Sequence, residues 1–192
     1  MAGFRSSFIH LCHPLAKLIP TKILLKVCDQ PLILPVYHLV SDEAPAHIKH
    51  LYQIKSIDEF EADLDYLLHH FQPLSLPELY DVITRKQRLD RPSFFLSFDD
   101  GLSEFYHIVA PILEEKELRA INFLNSSFID NCALFYRYKV SLIIEKIKTA
   151  QGDLDLSMIG QIIGGPVVNA AQLILQLLKL KYRHTGQIDA LA

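Results

Sequence analysis

With 192 residues, half of them hydrophobic, the chain is long enough for one ordinary globular domain with a core, which excludes a disordered tail. Its 19 Lys and Arg against 22 Asp and Glu leave a formal net charge of −3, with the basic residues spread along the chain. That excludes the basic face expected of a nucleic-acid partner. Cys12, Cys28 and Cys132 have no paired spacing, so a disulfide framework is not expected and a reducing, cytoplasmic setting is.

The N-terminal stretch from Phe8 to Leu15 is apolar but broken by His10, His13 and Pro14. It lacks an 18-residue apolar run and a small-residue cleavage site, so neither a membrane span nor a signal peptide is expected. Lys22 to Val27 continues the apolar-basic pattern. Residues 1–30 therefore form an N-terminal helical extension, expected to pack against the protein more than on a membrane surface.

Residues 31–38 have the composition of a strand. Ser56-Ile57-Asp58-Glu59 matches a capping box, followed by Phe60, Leu64, Leu67 and Leu68 at helical spacing. Ser75-Leu76-Pro77-Glu78 is a second such box, opening a helix to about Thr84. Residues 93–98 form a strand, a helix runs on to about Lys116 with Pro111 bending or breaking it, and residues 119–124 form the next strand. Strands alternating with helices predict an α/β fold with parallel strands. From Asn131 the pattern is helical to the end, with a Gly-Gly-Pro break at 164–166, and is read as a helical insertion whose apolar faces form ordinary core.

The chemistry concentrates at Phe94-Phe95-Leu96-Ser97-Phe98-Asp99-Asp100-Gly101. Alternation points Phe94, Leu96 and Phe98 one way and Phe95, Ser97 and Asp99 the other. Adjacent carboxylates repel, and a divalent cation or a shared proton is the usual compensation. The C-terminal end of a strand is also where α/β folds place their chemistry. An Asp-Asp-Gly turn with no further role fits the same residues.

Ser97-Phe98-Asp99-Asp100-Gly101 resembles the Thr-Phe-Asp-Asp-Gly motif of the polysaccharide deacetylase family, the carbohydrate esterases built on the NodB homology domain. Upstream, Leu34-Pro35-Val36-Tyr37-His38 is similar to the family's first barrel strand, which ends in Tyr-His. Downstream, Ala120-Ile121-Asn122-Phe123-Leu124 resembles its Ala-Thr-Phe-Phe-Leu strand, with Ile and Asn replacing Thr and Phe. The resemblance implies a partial (β/α) barrel of NodB-homology type over residues 31–130, followed by the helical insertion at 131–192. It implies Asp99 as general base, His38 as general acid and Asp100 as ligand of a divalent metal, with zinc the expected ion, acting on an acetylated carbohydrate. A histidine suits the acid role because its ordinary pKa of about 6.5 lets it hold and release a proton near neutrality. A satisfied rim histidine is the plain alternative for His38.

The family's His-x-x-x-His ligand motif has no counterpart after Asp100, where only His107 and His184 remain. The pairs His10/His13 and His47/His50 lack a third ligand and are expected to be solvated. The chain is accordingly expected to hold the N-terminal half of a deacetylase, with weak or no activity and with self-association through exposed barrel edges. A haloacid-dehalogenase-type phosphatase is excluded because Phe98 stands where its nucleophilic Asp would be. The rival expectation is a non-catalytic deacetylase fragment without a competent metal site.

Overall fold

The computed structural model describes residues 18–28, 31–85, 87–149 and 155–191. Cys12, the His10/His13 pair and the apolar stretch from Phe8 to Leu15 lie outside the described residues. Two compact units make up the chain: residues up to His38 with Asp58–Phe123, and Leu39–Ile57 with Leu124 onward. The second unit thus takes in residues 39–57, which composition alone would leave with the strands.

In the first unit, helix α1 (Thr21–Cys28) precedes β1 (Leu32–Ile33) and β2 (Val36–Tyr37), and α2 (Ile57–His70) leads into β3 (Gln72–Pro73) and α3 (Leu76–Thr84). Next come β4 (Ser93–Phe94), β5 (Leu96–Phe98), a π turn at Phe105–Val109, α4 (Ala110–Glu115) and β6 (Ala120–Asn122). All strand pairings are parallel, in the orders β1-β4-β3 and β2-β5-β6. The architecture is therefore mixed α/β with parallel strands.

The central run 93–98 lies along the run 31–37 for its whole length. The N–H groups of Ser93, Phe95, Ser97 and Asp99 donate in turn to the carbonyls of Pro31, Ile33, Pro35 and Tyr37. Each run nonetheless divides into two short strands where one continuous strand is expected. The reason is Pro35: the ladder bond due back to Phe95 would come from the N–H of residue 35, and proline has none. On its other edge the central run meets β3 first and β6 further along.

Every residue from Ser93 to Phe98 is buried, with Leu96 and Phe98 at 0% exposure. A parallel strand covered on both faces reads as a continuous apolar run, which is what the sequence Phe-Phe-Leu-Ser-Phe supplies. On one face Phe95 packs with Leu74 and Leu79. On the other, Phe98 sits among the rings of Tyr37, Phe60 and Phe105 at centroid distances of 5.6, 6.0 and 4.9 Å. Helix α2 reaches this cluster through Phe60, and its Leu64 and Leu67 are buried at the expected helical spacing.

The second capping box forms as expected: Ser75 Oγ accepts from the Glu78 N–H, and Glu78 Oε2 accepts from the Ser75 N–H at 2.7 Å. Those bonds hold the Glu78 carboxyl below its usual range. At α2 the Ile57 N–H is instead satisfied by Asp42 Oδ1 at 3.0 Å. Pro111 does not break its helix, because it falls at the start of α4, where no N–H is needed, after a wide turn closed by the Ala110 N–H on the Phe105 carbonyl.

The second unit is helical: α5 (Tyr136–Thr149), α6 (Leu156–Ile163), α7 (Ala170–Leu177) and α8 (Thr185–Asp189). Val140, Ile143, Ile144 and Ile147 of α5 bury against Leu173 and Leu177 of α7 and Ile188 of α8. The apolar faces thus cover one another, as ordinary core. Gly164 ends α6 in the left-handed conformation, at φ 78°. Among the described residues no helix is long and apolar enough to cross a membrane.

Replacing Leu96 by Ala is expected to destabilise the protein by about 3 kcal/mol, and Ser75 by Ala by about 1 kcal/mol. Urea unfolding followed by circular dichroism checks both, and equal effects would contradict the burial of the central run.

Candidate active site

His38 is the first residue after β2, and Asp99 is the first after β5. The register Val36↔Ser97 and Tyr37↔Phe98, carried one step further, sets His38 opposite Asp99. Opposite residues of neighbouring strands share a face, and here His38 Nε2 lies 4.0 Å from Asp99 Oδ2. The backbone closes beneath them, with the Asp99 N–H donating to the Tyr37 carbonyl at 3.1 Å. The two side chains are 42% and 40% exposed, so both reach solvent. A single small group at hydrogen-bond distance, about 2.6–3.2 Å, could contact both.

Asp100 follows with φ 73° and Gly101 with φ 64°, two successive left-handed residues. Glycine adopts that conformation freely. A residue with a Cβ does so at a cost, and Asp is among the few that tolerate it. The turn takes the chain sharply off the strand end while keeping both carboxylates at the rim. Strain held at such a point is a mark of sites where geometry is fixed for a purpose. Ser97, in the position of the family's Thr, donates its Oγ–H to the Pro35 carbonyl at 3.2 Å. It thereby fastens the two strands one residue pair below His38 and Asp99.

One further pair belongs to this strand end. Tyr37 Oη donates to Asp63 Oδ2 of α2 at 3.1 Å. Burial first, then the charge and hydrogen bond of Asp63, push the Tyr37 phenol well above its ordinary value. The pair ties α2 to the residue immediately before His38. Sequence gives only a faint signal for it: Asp63 lies one turn from buried Phe60, at the border of the helix's apolar face.

The remaining candidates lie elsewhere. His107 is exposed in the π turn, and His184 belongs to the second unit, where its Nδ1 accepts from the Lys181 N–H. His47 and His50, expected as solvated neighbours on a helix, instead stand in a run of turns. His47 packs edge-on against Tyr138, while His50, only 10% exposed, bonds Glu145 Oε2 at 2.6 Å. Glu145 also takes the Lys49 ammonium, and these bonds hold its carboxyl below the usual range. His50 is thus a tie between the 39–57 segment and α5.

Among the described residues no group of three or more His, Cys, Asp or Glu is placed to hold a metal ion. A catalytic zinc takes three protein ligands, so the residues present do not fit a complete metal centre. A cleft of about 670 Å³ opens in the same unit, lined by Phe105, Leu113, Leu118, Arg119 and Ala120, but it flanks the start of β6 and has neither His38 nor Asp99 in its lining.

No protein-family model and no curated protein matches the chain. Among solved structures, a de-N-acetylase from Aggregatibacter actinomycetemcomitans is similar at 25% identity and a TM-score of 0.43, over 52% of this chain and 39% of that one. The Streptococcus pyogenes deacetylase PplD in complex with acetate is similar at 16% identity and a TM-score of 0.46, over 76% of this chain and 80% of that one. The chain therefore spans well under half the length of the first. Both resemblances are partial, and the residues at the strand ends carry the functional reading.

Asp100→Val is expected to lower stability by about 1–2 kcal/mol, because a β-branched residue resists positive φ, whereas Asp100→Gly should leave it nearly unchanged. Denaturant midpoints of the two variants check this, and similar midpoints would contradict the left-handed turn.

The Tyr37 contact carries its own pH signature. Its folded pKa lies above the unfolded value near 10, so its contribution is complete below about pH 10 and is lost as pH rises beyond. Thermal midpoints measured between pH 8 and 11 should fall more steeply for the wild type than for Tyr37→Phe, and parallel curves would contradict the buried phenol.

Proposed function

We propose that this chain carries the acid–base pair of a hydrolase that removes acetyl groups from an N-acetylated sugar or polysaccharide, of polysaccharide deacetylase type on a partial (β/α) barrel. One observation carries the reading. His38 and Asp99 leave adjacent parallel strands directly opposite each other, with the left-handed Asp100-Gly101 turn beside them. In this reading Asp99 takes the proton from a water as its oxygen attacks the acetamide carbonyl. The C–N bond breaks, His38 gives a proton to the departing amine, and acetate leaves. The resemblance makes Asp100 a ligand of a divalent metal, zinc by expectation, although the described residues do not assemble the ligands such an ion needs. The run 31–37 exposes Leu34 and Val36 by about half, which supports self-association through that edge.

A second reading is a deacetylase-like fragment without catalysis, and the missing three-ligand cluster among the described residues favours it. Acetate release from N-acetylated chito-oligosaccharides by the full chain, with and without added zinc, separates the two. The first reading expects slow release that Asp99→Asn and His38→Ala each lower by about 10²-fold or more. No release above the blank would favour the second. Release unaffected by Asp99→Asn would overturn the assignment of the base.

A further inference from the structure

We propose that α1 is a docking face for an anionic lipid surface, on which the protein lies without spanning it. The inference is independent of the deacetylase reading. Ile23 and Val27, one helical turn apart and hence on one face of α1, are 51% and 77% exposed, and Leu18 just ahead of the helix is 80% exposed. The helix is held to the rest of its unit on another side, where Thr21 Oγ1 and Tyr66 Oη of α2 hydrogen bond at 2.8 Å. Tyr66 is itself half exposed, an aromatic ring with a polar tip beside the apolar stripe.

Charge selects the occupant. The first 28 residues contain Arg5, Lys17, Lys22 and Lys26 and no Asp or Glu, although the whole chain has 22 acidic residues against 19 basic. A chain that is acidic overall therefore concentrates its positive surplus where its helix leaves large apolar residues in water. Lysines occupy positions 22 and 26, each next in sequence to one of the exposed apolar residues. Lysine stems can lie along apolar surface while their heads stay in water, which suits a helix at the headgroup level of an anionic bilayer. A second copy of this chain is the weaker occupant. A two-fold contact through this face would set one acid-free basic segment against another. An eight-residue helix is far short of the roughly 20 residues a span requires, so the geometry is that of a helix lying in the interface.

Co-sedimentation of the full chain with vesicles tests this, using phosphatidylcholine alone and phosphatidylcholine with about one-third phosphatidylserine. Binding to the anionic vesicles should exceed binding to the neutral ones by about tenfold or more and weaken as salt is raised. The double variants Ile23→Asp/Val27→Asp and Lys22→Glu/Lys26→Glu should each lose that binding with circular dichroism unchanged. Should the first variant misfold, the lysine variant and the salt dependence of the wild type decide. No wild-type binding to anionic vesicles, or binding that survives both variants, would overturn the proposal. So would a dimer that Ile23→Asp/Val27→Asp dissociates in a protein that does not bind vesicles.

Discussion

The ring cluster around Phe98 is the constraint on which the first unit depends. Phe98 is fully buried between Tyr37, Phe60 and Phe105, which bring together two adjacent strands, helix α2 and the π turn. Aromatic pairs in edge-on and offset arrangements add specific geometry to large apolar burial. Two of these rings stand immediately before the site residues in sequence, Tyr37 before His38 and Phe98 before Asp99. Alternation along a strand then turns each site residue to the opposite face from its ring. Packing on one side of the sheet fixes the positions of two exposed polar groups on the other.

The polar contacts act at the same level of the sheet. The Asp99 N–H on the Tyr37 carbonyl and the Ser97 hydroxyl on the Pro35 carbonyl hold the two strands in register up to their last residues. Tyr37 adds a tie to Asp63 of α2, in a half-buried setting that keeps the phenol protonated. Beyond that point Asp100 and Gly101 both take positive φ, and regular structure ends abruptly. The acidic pair is therefore placed by a rigid strand on one side and a strained turn on the other.

The second unit combines the same two devices in helical form. Its core is a set of branched aliphatic side chains on α5, α7 and α8. The 39–57 segment is tied to α5 by polar groups: the Ser141 hydroxyl on the Ala46 carbonyl at 2.7 Å, and Glu145 with both Lys49 and His50. Removing one partner from such a set leaves a poorly solvated group behind, so these ties specify the arrangement more than they stabilise it.

Local sequence determined the elements whose causes are local. The apolar spacing of Phe60, Leu64 and Leu67, the capping box at Ser75 and Glu78, and the Phe-Phe-Leu-Ser-Phe run all formed as their residue types dictate, because periodicity and capping need only near neighbours. The acidic strand end was equally legible at Asp99, Asp100 and Gly101. Tertiary structure alone decided which groups face each other. The short strand β3 is defined by its partner, with the Leu74 N–H on the Phe94 carbonyl, and the break at Pro35 appears only once the ladder due from its missing N–H is drawn. The Tyr37–Asp63 and His50–Glu145 pairs span 26 and 95 residues. His38 stands opposite Asp99 because of a strand register, which depends on packing across the whole sheet and which no local pattern encodes.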